Sequence, residues 1–180
     1  MEIRAERPED HEAVREVHRR AFGDHGGVVA DLVDALRRAE PDALSLVAAD
    51  EGGVAGHVLL SRSLLDAPRR LVGVQVLSPL GVLPERQRRG VGAALVRRAL
   101  AVAGERGVPL VFLEGDPGYY PRLGFVPGAS RGFRKPSLRI PDAAFQVAAL
   151  STYEPWMTGT LVYAATFWEL DCVGLRDPGP

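Results

Sequence analysis

The chain has 180 residues, 46% of them apolar, which is enough to bury one sizeable core and sits close to the length of a single domain. Its 22 Lys plus Arg against 23 Asp plus Glu leave a formal net charge of -1, so no global field draws it to nucleic acid or to an anionic membrane surface. Charges alternate through Met1–Asp10 without an apolar centre, which argues against a secretory signal. No apolar run is long enough to span a bilayer, and a cytoplasmic location is the expectation. The lone cysteine, Cys172, closes no intrachain disulfide and has no His or basic neighbour in sequence to activate it, so it reads as a buried or incidental thiol.

Pro8 followed by Glu9 and Asp10 predicts a helix start, since proline tolerates the first helical position and carboxylates oppose the positive end of the dipole. Val14, Val17 and Ala21 then form one apolar stripe. After a break at Gly26-Gly27, Val29, Leu32, Val33 and Leu36 repeat that spacing and predict a second amphipathic helix running to Ala39, ended by Pro41. The two helices should lie side by side on a sheet.

From Leu44 the chain turns to Val, Leu and Ala runs around Asp50–Gly53, the composition of two antiparallel strands and a tight turn. A second reversal is expected near Asp66–Arg70, leading into an apolar run from Leu71 to Leu83. Ser78-Pro79 interrupts that run, and a proline inside a strand implies an edge position or a bulge. Gly90–Gly107 carries Val91, Leu95, Ala99 and Val102 at helical spacing, and Leu110–Leu113 reads as a short buried strand. Strand, glycine turn, helix and strand in that order predict a crossover between parallel neighbours in a mixed sheet. A short helix is expected around Tyr119–Leu123, a loop from Pro127 to Pro136, strands near Phe145–Leu150 and Thr160–Phe167, and a frayed tail over Asp177–Pro180.

The informative stretch is Leu80-Gly81-Val82-Leu83-Pro84-Glu85-Arg86-Gln87-Arg88-Arg89-Gly90-Val91-Gly92-Ala93. A strand ends in a loop whose glycines let the backbone curl round a ligand, and a helix begins where unpaired amides and the dipole favour an anion. Arg86, Arg88 and Arg89 can add charge-assisted bonds to a pyrophosphate or a ribose phosphate. Neither a Lys-Ser nor a Lys-Thr follows the glycines, and the third glycine of a dinucleotide fingerprint is missing, so NTP hydrolysis and nicotinamide chemistry are disfavoured. The structural alternative is an ordinary turn with a solvated arginine face.

Gln87-x-x-Gly90-x-Gly92 resembles the pyrophosphate-binding motif of the GNAT N-acetyltransferases, and Leu80-x-Val82-x-Pro84 resembles the end of that superfamily's fourth strand. Tyr120-Pro121-Arg122-Leu123-Gly124-Phe125 is similar to the signature after its fifth strand. With the Gly115-Asp116-Pro117 lead-in and the doubled tyrosine, it resembles the YhbS-like predicted acetyltransferases. The resemblance implies an α/β (α+β) fold with a mixed, mostly antiparallel central sheet, splayed between strands 4 and 5 and flanked by helices on both faces. It implies one domain over residues 1–180, with a core to about residue 127 and a C-terminal loop and extra strands beyond.

Acetyl-CoA is the implied co-substrate, held by Leu80, Gly81, Val82, Gln87, Arg88, Arg89, Gly90, Val91, Gly92, Ala93 and Tyr120, with no metal. Backbone groups of Leu80 and Val82 would hold the pantetheine arm and the thioester carbonyl, as an oxyanion hole does. Tyr120 would be the general acid for the leaving thiolate, with Tyr119 the fallback, because a phenol of pKa about 10 can protonate a thiolate whose thiol has about 8.5. Gly124 and Phe125 are read as a helix stop and a core aromatic.

The base is less legible, for no carboxylate lies between Val72 and Val82, where some members carry a glutamate. Glu114 is the candidate base. His25, Ser78 and Asp116 are candidate acceptor-side residues, and His57 reads as a half-buried structural histidine. The acceptor would be the primary amine of a small molecule or a peptide, with neither nucleic acid nor membrane as partner and the chain a monomer or homodimer. Two other readings stand beside this one: an acyl-CoA-binding regulatory module without turnover, and a nucleotide or nucleic-acid domain using Arg86–Arg98. Near-neutral charge and the lack of interleaved aromatics weigh against the second.

Overall fold

The first strand, β1 (Glu2–Ala5), leads through a single 3-10 turn at Pro8–Asp10 into α1 (His11–Phe22). Asp10 ties strand to helix: its carboxylate accepts the Arg7 amide at 2.8 Å and pairs with Arg4 at 2.6 Å, which holds the Asp10 carboxyl below its usual range. The chain reverses at Gly23, whose φ of +55° favours glycine, and α2 (Gly26–Ala39) starts on the glycine pair itself, not after it. Gly26 lies so close to α1 that a Cβ there would collide with the Arg19 carbonyl oxygen.

β2 (Leu44–Asp50) and β3 (Gly53–Asp66) form the expected antiparallel pair, and β1 adds to β2 antiparallel. β4 (Leu71–Val82) is one continuous strand through Pro79, followed by α3 (Val91–Glu105) and β5 (Leu110–Glu114), which runs parallel to β4. The β4–β5 ladder is registered at Gln75–Val111 and Val76–Phe112, and β4 continues beyond it to Val82. Pro79 lies past the last of these pairs, as a residue without an N–H must where a strand has a neighbour to satisfy on each side.

The structure describes residues 1–174 of a computed structural model, so the tail expected over Asp177–Pro180 lies outside them. The chain divides into two compact units, Met1–Ser61 with Leu77–Arg106, and Arg62–Val76 with the chain from Gly107; β3 and β4 run through both. In the first unit, helices cover both faces of the sheet. Neighbouring strand residues point to opposite faces. Accordingly, His57 meets His18 of α1, while a Cβ on Gly56 would touch Val91 and Leu95 of α3.

In the second unit the segment read as a loop from Pro127 to Pro136 carries β6 (Val126–Pro127) and β7 (Phe133–Arg134) around a 3-10 turn at Gly128–Arg131. β8 (Phe145–Ala149) pairs antiparallel with both β5 and β6. The strand expected over Thr160–Phe167 is shorter: β9 (Gly159–Val162) pairs with the end of β3 and with β7, and the chain then forms the short α4 (Ala165–Glu169). Phe112 anchors this core, edge-on to Phe133 at 5.1 Å and stacked on Phe145 at 5.7 Å. The sheet is therefore mixed and mostly antiparallel, with parallel pairs at β4–β5 and β7–β9.

Candidate functional site

The turn from β4 into α3 is built by two left-handed residues. Arg88 has φ +59° and Gly90, the N-cap of α3, has φ +82°. Ala94 makes the first intrahelical bond, to the Gly90 carbonyl at 2.9 Å, so the amides of Val91, Gly92 and Ala93 have no acceptor within the helix. Gln87 folds back, its Nε2 donating to the Val82 carbonyl at 3.0 Å, and the Leu83 amide is fixed to the Ala55 carbonyl at 2.9 Å. The loop is thus pinned at its strand end and open at its helix end.

Of the three arginines, Arg86 is already engaged, paired with Asp50 at 3.1 Å beside the β2–β3 turn. Glu85 forms a two-pronged pair with Arg20 of α1 at 3.0 and 3.1 Å. Arg88 and Arg89 are exposed and in no ion pair among the described residues, which leaves both guanidinium groups available to an anion. Donor amides at a helix start with two free arginines beside them suit a pyrophosphate-bearing ligand. Upstream in β4, Leu80 and Val82 are half-buried, Gly81 is buried and Ser78 is half-buried.

The second constellation lies after β5. Tyr120 opens a 3-10 turn, Tyr120–Leu123, and its ring lies over Gly115, where any Cβ would collide with it. Tyr119 and Phe125 hold the ring edge-on at 5.0 and 5.6 Å. Burial, then the neighbouring Tyr119 and Asp116, push the Tyr120 phenol up to about 12, so it keeps its proton throughout the neutral range. The face of Tyr119 lies under the Arg122 guanidinium at 4.4 Å.

Glu114, at the end of β5, is bound on both oxygens: Tyr163 donates its hydroxyl at 2.8 Å and the Gly174 amide donates at 3.1 Å. Burial raises its pKa against the pull of these donors. Asp116 is exposed and caps its own loop, accepting the Gly118 amide at 2.7 Å. His25 is exposed at the start of α2. No group of His, Cys, Asp or Glu among the described residues has the arrangement to hold a metal, and no helix among them is long and apolar enough to cross a membrane.

One cluster has no counterpart in the motif reading. His57, expected to be half-buried, is fully buried, and so is His18 of α1; His18 Nε2 lies 2.8 Å from His57 Nδ1. His57 Nε2 lies 2.8 Å from Ser45 Oγ, which donates to Glu6 at 2.6 Å, and Glu6 is paired with Arg37 of α2 at 2.6 Å. The contributing residues come from separate elements, so no local pattern announces them.

The family described as "Acetyltransferase (GNAT) domain" matches residues 2–128. A curated relative, the uncharacterized N-acetyltransferase YjhQ of Escherichia coli (strain K12), is 37% identical over 152 residues, 81% of this chain and 82% of the relative. Among solved structures, the GNAT family N-acetyltransferase YhbS from Escherichia coli in complex with CoA matches with a TM-score of 0.81 at 30% identity, over 92% of this chain and 91% of that one. A GNAT family acetyltransferase from Brucella melitensis in complex with acetyl-CoA matches with a TM-score of 0.73 at 36% identity, over 92% of this chain and 97% of that one.

Proposed function

Because the chain belongs to the GNAT acetyltransferase family and is an acyltransferase on that ground, we propose that it transfers the acetyl group of acetyl-CoA to a primary amine by direct attack in a ternary complex. The observation that carries the cofactor half is the β4–α3 turn: three amides without helical acceptors between the left-handed Arg88 and Gly90 and the first bond at Ala94, with Arg88 and Arg89 beside them in no ion pair among the described residues. The Brucella relative that holds acetyl-CoA and the Escherichia coli relative that holds CoA support the same ligand here.

Gln87 fixes the end of β4 so that the loop presents Gly90, Val91, Gly92 and Ala93 to the pyrophosphate, and the backbone of Leu80, Gly81 and Val82 receives the pantetheine arm and the thioester. A bound acetyl-CoA supplies the activated acyl group; orientation of the amine against it lowers the barrier without a covalent enzyme intermediate. Tyr120 gives the leaving sulfur a proton, and its hydroxyl has no hydrogen-bond partner among the described residues that would withhold it. Tyr119 is the second choice for that role. His25, Ser78 and Asp116 are assigned to the acceptor side, and the acceptor is the amine of a small molecule or a peptide, met in the cytoplasm by a monomer or homodimer.

Calorimetric titration with acetyl-CoA and with CoA lacking the ribose phosphate tests this. Gly92→Glu, and separately Arg88→Glu with Arg89→Glu, should abolish binding or weaken it at least tenfold while the circular dichroism of the protein stays unchanged. Weaker binding of the dephosphorylated ligand assigns the ribose phosphate to the arginines. A folded wild-type protein that binds neither ligand refutes the proposal, and binding without free-thiol release across a panel of amines favours the regulatory module.

A further inference from the structure

The proposed reaction needs a group to take the proton that the attacking amine loses, and Glu114 has both oxygens committed to Tyr163 and Gly174. The buried histidine pair, His18 of α1 and His57 of β3, supplies an acceptor that faces β4 at Gly81. Glu6, paired with Arg37, is a carboxylate and can only accept, so the Ser45 hydroxyl donates to it. Ser45 Oγ therefore accepts from His57 Nε2–H, His57 Nδ1 carries a lone pair, and His18 donates to it from Nε2–H. The remaining nitrogen, His18 Nδ1, is a lone pair. It is buried without a hydrogen-bond partner among the described residues, and it points at Gly81: a Cβ on that residue would stand 2.7 Å from it.

Resting on the acetyl-transfer assignment of β4, we propose that His18 is the proton acceptor of the reaction, with His57, Ser45 and Glu6 as a buried relay that draws the resulting charge away from it. As the amine nitrogen bonds to the acetyl carbon it releases one proton, directly or through a water, and an Nδ1–H bond forms on His18. The His18 Nε2–H bond then breaks as an Nδ1–H bond forms on His57, and the positive charge reaches an imidazole whose Nε2 lies 3.9 Å from a Glu6 oxygen. The leaving sulfur receives one proton from Tyr120. Solvent returns one to Tyr120 and takes one from the relay, so each cycle is proton-neutral.

The surroundings explain why a single imidazole would not suffice. Burial, with Arg37 adding to it, pushes His18 down to about 4, and burial, His18, Arg37 and His11 hold His57 well below the ordinary value. Both rings are neutral at pH 7, which keeps the lone pair available but makes it a weak base alone. The absence of a side chain at Gly81 is what gives Nδ1 access to the strand, so the glycine and the histidine belong to one device.

Two readouts test it. Nitrogen-15 spectra of the imidazoles need no acceptor: between pH 6 and 8, His18 should show a protonated Nε2 and an unprotonated Nδ1, and His57 likewise. A charged His18, or one protonated at Nδ1, overturns the relay. In acetyl transfer to the best amine of a panel of amino acids, polyamines and peptides, His18→Gln should lower kcat about 100-fold or more. KM for acetyl-CoA should stay constant and the acidic limb of the pH profile should disappear. Ser45→Ala leaves both rings in place and should lower kcat by roughly tenfold with a displaced acidic limb, since it interrupts the relay alone. If His18→Gln binds acetyl-CoA as the wild type does and retains its kcat and pH profile, the inference fails while the acetyltransferase assignment stands; a wild type that binds no acetyl-CoA removes both.

Discussion

Lowering the pH from 7.5 to 5 should destabilise the first unit through its two buried histidines. In the unfolded chain each titrates near 6.5, whereas in the folded unit His18 is held at about 4 and His57 well below its usual value. Between those limits the unfolded chain binds more protons, so stability is constant above about pH 6.5 and falls as the pH drops toward 4. At pH 5 His18 alone accounts for about 2 kcal/mol, a sizeable share of the total for a unit of this size, and His57 acts in the same direction. Urea unfolding at the two pH values, followed by far-ultraviolet circular dichroism that α1, α2 and α3 of this unit dominate, measures the loss. The comparison is with the double variant His18→Leu, His57→Leu, which keeps every other titrating group. The wild type should lose at least about 2 kcal/mol more than the variant; equal losses in the two proteins would refute the placement of two neutral imidazoles in this core.

Tyr120→Phe should lower kcat by about 100-fold while leaving acetyl-CoA affinity unchanged by calorimetry, because the ring packing on Phe125 and Gly115 survives and only the proton donor is lost. In the wild type, ionisation of Tyr120 should leave kcat untouched up to about pH 11, given a phenol held at about 12. Tyr163→Phe removes a donor from Glu114, whose carboxyl burial already raises; its pKa should rise further in a carbon-13 titration, and stability should fall by about 1–3 kcal/mol in thermal unfolding.

The helices and the crossover were legible because their information is local. α1, α2 and α3 each repeat apolar residues at helical spacing, and Gly90 ahead of α3 reports a backbone conformation that side chains resist. β1 was missed since Glu2–Ala5 is only four residues, too short for its polar–apolar alternation to stand out; it becomes a strand by adding to β2, with Asp10 clamping its Arg4. The run from Thr160 to Phe167 reads as one strand, but only its start joins the sheet and Ala165–Glu169 turns into α4. The chain leaves the ladder after Val162, with Tyr163 bonded to Glu114 from a distant part of the sequence.

The glycine turn after β4 and the tyrosine motif could be picked out from the sequence alone because each is one continuous segment whose glycines and arginines fix its own backbone and charge. Its fold class followed from the same periodicities and from resemblance. Only the tertiary structure decided that Arg86 is taken by Asp50 while Arg88 and Arg89 are in no ion pair among the described residues, that Glu114 is a bound carboxylate, and that His18, His57, Ser45 and Glu6 form one chain of hydrogen bonds. Those residues lie on different elements, and a hydrogen bond between side chains 39 positions apart leaves no trace in local spacing; it exists because folding stacks α1 on β3 and excludes the water that would otherwise satisfy both rings.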